Sequence, residues 1–211
     1  FVPLDNNFHN RMIAVYKHSI HDDPMVRMYL ALAMGRTKNS IYGEPLMQGL
    51  NDKDKGSRVA AIKALGNLAY IQSINRLSEY TELDKSEEER LSATISLGNM
   101  GIQSVTPILK KLLNDEEPNI RWDAAIALAK LGDRSGSKVI DNLLDRKYYN
   151  QFKEVDAEEE VQAILVAIQA SNKIPSEKFV TNLLKLATLD HNMEIRDNAI
   201  KTLDKTYNRE I

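Results

Sequence analysis

The chain has 211 residues, with 28 lysines and arginines against 30 aspartates and glutamates, 43% apolar residues, 6% aromatic residues and no cysteine. That length supports a sizeable core, and a formal charge of −2 argues against a protein whose main work is neutralising nucleic-acid phosphates, so no nucleic-acid partner is expected. Absence of cysteine excludes disulfides, thiolate nucleophiles and cysteine-ligated zinc or iron–sulfur sites. It leaves localisation open between cytoplasmic and periplasmic compartments.

No apolar run approaches the roughly 20 residues of a membrane span, and no signal-like segment is present. The first residue is Phe1 rather than Met, so an upstream segment is expected.

In chain order, residues 8–21 read as a lone N-terminal helix, followed by two-helix units at 24–51, 55–83, 87–114, 118–145 and 156–189 and a last helix at 192–207. Extra residues enter in or near 145–156 (DRKYYNQFKEVD), and no domain boundary is read anywhere in 1–211. In the first helix of the fourth unit, Ile120, Ala124, Leu128 and Leu131 recur three and four apart, an amphipathic stripe. Gly66, Gly101 and Gly132 stand where left-handed caps would end first helices. Pro45 and Pro107 sit at the first position of second helices, where a missing N–H costs nothing. Alternation of period two is absent, so no sheet is required.

The units repeat. MVRMYLALAMG, GSRVAAIKALG, EERLSATISLG and NIRWDAAIALA align without gaps on Arg27, Arg58, Arg90 and Arg121, at intervals of 31, 32 and 31. A second set, Leu46, Leu77, Ile108 and Val139, recurs every 31 residues, and Ile71-Gln72-Ser73-Ile74 aligns with Ile102-Gln103-Ser104-Val105. The expected fold is all-α: an α-solenoid, or alpha-alpha superhelix, of about five repeats with terminal capping helices, each burying its face against its neighbours.

An aspartate six positions before an arginine accompanies this pattern, as Asp52 with Arg58, Asp84 with Arg90, Asp115 with Arg121, and Asp190 with Arg196. In the first repeat Asp22 stands five before Arg27, and the fifth repeat lacks the arginine. The pattern resembles the HEAT-like repeat family, in particular the short bacterial repeats called phycobilisome-lyase-type, over residues 8–207. The tetratricopeptide and ankyrin signatures are absent. The resemblance implies that the Asp and Arg columns form a structural ladder of charge-assisted hydrogen bonds between repeats. It also implies that second helices line a concave binding face, about 40–50 Å long for helices about 8–10 Å apart.

Chemical candidates are few. Trp122 shares a column with Met28, Val59 and Leu91, which reads as packing. His18 and His21 stand three apart on one helix but lack a third ligand at metal spacing, so no metal site is assigned. The His-Glu dipeptides of HEAT-like di-iron hydroxylases are missing, and residues 81–160 hold 11 basic against 17 acidic residues, unlike the basic groove of HEAT-like DNA glycosylases. No phosphate-binding or hydrolase motif occurs. No cofactor is expected and a small-molecule ligand is disfavoured.

The expected function is therefore a non-enzymatic scaffold binding another protein or peptide, a basic one given the acidic middle third. The alternative, carried by the resemblance, is a phycobilin lyase, isomerase or chaperone-like accessory using the same groove. Binding residues are expected at Gln48, Glu79, Tyr80, Lys110, Lys111, Asp141 and Asn142 on second helices. The inserted aromatics Tyr148, Tyr149 and Phe152 either anchor a partner or plug the gap where the stack changes pitch.

Overall fold

The computed structural model describes residues 6–18 and 23–209, so His21 and Asp22 lie outside the described residues. All regular structure among the described residues is helical. The α-helices are α1 (Asn6–His18), α2 (Pro24–Arg36), α3 (Gly43–Gly49), α4 (Lys55–Leu68), α5 (Ile74–Glu79), α6 (Glu87–Met100), α7 (Thr106–Leu112), α8 (Pro118–Lys130), α9 (Ser137–Leu143), α10 (Ala157–Lys173), α11 (Glu177–Leu189) and α12 (Met193–Tyr207). The chain divides into two compact units, 1–108 and 109–211, with the division falling inside α7.

In the first unit α2 packs on α4 and α4 on α6, each a first helix of its repeat. Their starts are fixed by side chains that accept from otherwise orphaned N–H groups. Asp23 accepts from the Met25 N–H and Asp54 from the Ser57 N–H, both at 2.8 Å. Ser86 and Glu89 bond reciprocally as a capping box.

Gly66 does not end its helix as the sequence suggests. It lies inside α4, and the left-handed residue is Ala69, with φ 49°. A Cβ at Gly66 would sit 2.6 Å from Ser96 Cα, so the glycine permits close approach of α4 and α6. Ser96 Oγ donates to the Ile62 carbonyl at 3.0 Å, tying the same two helices. Gly101 and Gly132 do take left-handed φ values, 68° and 77°.

The second helices of the first four units, α3, α5, α7 and α9, are short, and each follows a 3₁₀ turn: Ser40–Tyr42, Ile71–Ser73, Gln103–Val105 and Arg134–Gly136, whereas α11 is 13 residues long. The turns begin 31, 32 and 31 residues apart, the same intervals as the first-helix arginines. The strict 31-residue column of Leu46, Leu77, Ile108 and Val139 is therefore one residue out of register in its last two members. Leu46, Leu77, Leu109 and Ile140 share the inward column, all at 0% exposure. The local likeness of Ile102-Gln103-Ser104-Val105 to Ile71-Gln72-Ser73-Ile74 misleads because burial selects Val105 and Ser73 as equivalents, both fully buried. Ser73 tolerates that place by donating to the Tyr70 carbonyl at 2.6 Å.

In the second unit α8 packs on α9 and α10, and α12 on α10 and α11. Trp122, Ile140, Leu143, Ile164, Phe179, Leu183, Ile195 and Leu203 belong to its core. The insertion forms a 3₁₀ turn, Arg146–Gln151, closed onto this core. Tyr149 is buried and its hydroxyl donates to the Leu143 carbonyl at 3.0 Å, while burial pushes its pKa up. Trp122 Nε1 donates to the Tyr148 hydroxyl at 3.3 Å, and Tyr149 and Phe152 meet the indole edge-on. Such pairs contribute about 1 kcal/mol each beyond area burial. Tyr149 is thus a packing residue and not the partner anchor considered above; Tyr148 and Phe152 are half-buried against Trp122.

Candidate partner-binding surface

The Asp and Arg columns combine differently from the simple pairs read in the sequence. Arg58 Nη1 donates to the backbone carbonyls of Asp52 and Lys53 at 2.8 and 3.0 Å, and Arg121 does the same to Asp115 and Glu116 at 2.7 and 2.9 Å. Arg196 Nη1 donates to the Asp190 carbonyl at 2.6 Å. Within each of these pairs, the arginine meets the backbone and the aspartate side chain faces elsewhere. Asp52, Asp115 and Asp190 each accept from the N–H two residues on, at 2.9 Å, which shapes the turn.

The carboxylates of Asp52 and Asp190 are forked by other arginines. Arg27 Nε and Nη2 bind Asp52 at 2.6 and 3.0 Å, with both side chains nearly buried. Arg58 Nε reaches instead to Glu89 at 2.7 Å. Asp84 does not join the ladder as its spacing from Arg90 suggests: its side chain is 71% exposed and, among the described residues, its ion pair is with its neighbour Lys85. Glu89 holds the rung because it already stands at the third position of α6, fixed by Ser86. Burial alone would raise its pKa, but Arg58 and Ser86 outweigh that and hold it low.

Each first helix places the ladder residue four positions after its N-cap: Arg27 after Asp23, Arg58 after Asp54, Arg90 after Ser86, Arg121 after Glu117 and Arg196 after Asn192. In α10 that position is Glu160, four after Asp156. The charge is reversed, and the insertion supplies the cation. Arg146 Nη1 donates to Glu160 at 2.9 Å, and its Nε and Nη2 fork Asp190 at 2.7 and 2.9 Å. Burial raises the Asp190 pKa, but Arg146 and the Asn192 N–H prevail and the carboxyl stays below its ordinary range. The fifth repeat therefore has its arginine, offered from a different segment. Sequence reading placed Arg27 in the column without pairing it with Asp52, and missed Glu89, Arg146 and Glu160; counting four residues from each N-cap is the signal that finds Glu160.

The outward residues of the second helices follow the corrected register. Gln48, Glu79 and Lys111 are exposed, and Asn142 is half-buried in the same column. Tyr80 is not outward: it shares a column with Gly49, Leu112 and Leu143, is buried, and donates its hydroxyl to the Leu50 carbonyl. Glu79 pairs with Arg76 on its own helix. Lys110 pairs with Asp133 at 2.8 Å and holds that carboxyl down at about 2. Asp141 accepts from Asn182 on α11 at 3.1 Å. In the first unit the outward row thus carries Glu44, Gln48 and Glu79; in the second it carries Lys111, Lys138 and Asn142.

Among the described residues there is no group of three or more His, Cys, Asp or Glu side chains suited to a metal, and no helix is long and apolar enough to cross a membrane.

Repeated two-helix units, a buried inward column on every second helix and an ionic ladder on the first helices define an α-solenoid of the HEAT/armadillo class, a fold typical of protein-interaction scaffolds. The family model for HEAT repeats matches residues 13–97 and 74–151, and the chain belongs to that family. The complex of CpcE and CpcF of phycocyanin lyase from Nostoc sp. PCC7120 is similar at 19% identity and TM-score 0.62, covering 79% of this chain and 65% of that one. An engineered protein is similar at 17% identity and TM-score 0.56, covering 94% and 97% of the two chains. Computationally designed armadillo repeat proteins for modular peptide recognition are similar at 18% identity and TM-score 0.51, covering 92% and 98%. No curated protein sequence matches the chain.

Proposed function

We propose that the chain is a non-enzymatic scaffold that binds a protein partner, in extended or helical form, through the outward rows of its second helices. One observation carries this. The inward column is uniformly aliphatic and buried, at Leu46, Leu77, Leu109 and Ile140. The outward column changes at every repeat, from Gln48 to Glu79 to Lys111 to Asn142. A fixed seat with a variable outer row is the arrangement that reads a partner position by position. The likeness in fold to armadillo proteins designed for modular peptide recognition supports the same reading. A second reading, a lyase-type accessory protein, rests on the likeness in fold to the CpcE and CpcF pair.

The test is selection of phage-displayed peptides on the intact chain, followed by binding to variants. Selected peptides should lose at least tenfold in affinity for Glu79→Lys or Lys111→Glu and keep their affinity for Lys63→Glu, which lies on an exposed first-helix position. Peptides indifferent to both second-helix changes would sink the proposal. Tight binding of a free bilin, followed by absorbance, would move the assignment to the second reading.

A further inference from the structure

Within the second unit, the last turns of α8 and α10 leave a notch of about 70 Å³ lined by Ile126 and Lys130 from α8 and by Val166, Gln169, Ala170 and Lys173 from α10. Both sets of lining residues come from the C-terminal halves of their helices. Ile126 and Ala170 are buried and Val166 is half-buried, so the floor is apolar. A volume equal to about two waters, with almost no polar partner on its floor, is a poor place for water and a good one for a branched aliphatic side chain.

The rim is cationic. Lys130 and Lys173 are the final residues of their helices, both exposed, and among the described residues neither is in a contact ion pair, although Asp123 attracts Lys130 along α8. Each helix end contributes about half a negative charge, so the two ammonium groups outweigh the helix ends at the rim, with Asp123 the opposing charge further back along α8. Asp133, close in sequence to Lys130, is already occupied by Lys110. The carboxylate of Asp123 stands on the same face of α8, one turn before Ile126, and gives the site a direction: negative, then apolar, then doubly positive.

We propose that this notch docks a short acidic segment of a partner protein, with a leucine in the notch and the carboxylates that follow it on Lys130 and Lys173. The site lies on first helices and does not rest on the second-helix reading above.

The experiment is a fluorescence-anisotropy titration of the full chain with a labelled Gly-Gly-Leu-Glu-Glu peptide. It should bind, weakening as salt rises. Replacing its leucine by serine, or its glutamates by lysines, should cost at least tenfold. K130E/K173E should lose at least tenfold, and Ala170→Leu, which fills the notch, should do the same, with melting temperatures recorded for both. Because the double lysine variant changes only exposed groups, it keeps the test decisive if Ala170→Leu fails to fold. Glu79→Lys should leave this binding unchanged, which separates failure here from failure of the second-helix assignment. Equal binding by the serine peptide, indifference to K130E/K173E, no binding at millimolar peptide, or a preference for phosphatidylserine vesicles over the peptide would each overturn the proposal.

Discussion

Asp123 occupies a column whose other members are Tyr29, Ala60, Ser92, Gln162 and Asn198, none of them acidic. Burial pushes its carboxyl up to about 6, with the attraction of Lys130 acting in the other direction. A carboxyl raised in the folded state favours the fold when protonated. Its contribution is complete below the unfolded pKa, near 4, and is lost as pH rises through about 6. Asp123→Asn should therefore stabilise the chain by about 2 kcal/mol at pH 7.5 and leave it unchanged at pH 4. Urea unfolding at both pH values checks this, and equal midpoints at pH 7.5 would contradict it. The ladder shows the limit of residue-level reading. Arginines at a fixed spacing identify the column, but which carboxylate each one grips depends on turn geometry, and spacing cannot choose Glu89 over Asp84.

Helix packing decides what a glycine is for. In an ordinary helix interior, Gly→Ala stabilises by about 0.5–1 kcal/mol. At Gly66 the new Cβ would press on Ser96 Cα at 2.6 Å, in backbone that cannot swing aside. Gly66→Ala should therefore destabilise by about 1–3 kcal/mol, seen as a lowered melting temperature; a rise would show that α4 and α6 are not held so close. The second helices teach a related lesson. Their existence and their apolar faces were legible, because Leu46, Leu77, Leu109 and Ile140 all stand out as aliphatic. Their register was not, since one extra residue after Ile71–Ser73 shifts the later repeats and a coincidental Ile-Gln-Ser likeness conceals it. That shift alone turned Tyr80 from an outward residue into an inward one.

At the scale of the whole chain, the all-α repeat class was readable from spacing alone, because every repeat restates the same inward pattern. The division into two compact units, 1–108 and 109–211, was not. It falls inside α7, a helix with the same periodicity as its neighbours, so no shift in composition announces it. Arrays of this kind are stabilised by local repeat energies and nearest-neighbour terms. Phe179→Ala, which empties a fully buried place on α11, should cost about 3–5 kcal/mol locally. Native-state hydrogen exchange should then show lost protection in α10–α12 and retained protection in α2 and α4. Uniform loss throughout would indicate a single cooperative unit.

The reversed rung at Glu160 has a bearing on how such chains change length. An inserted segment normally threatens the alignment of charges that binds one repeat to the next. Here the segment that lengthens the chain brings Arg146 with it, and this one guanidinium bridges both Glu160 and Asp190. The cation now comes from the connection and the carboxylate from the first helix, so the polarity of the rung is inverted. In this chain the acidic residue at the fourth position of α10 is matched by an arginine in the preceding connection, and shortening that connection would leave two carboxylates facing each other.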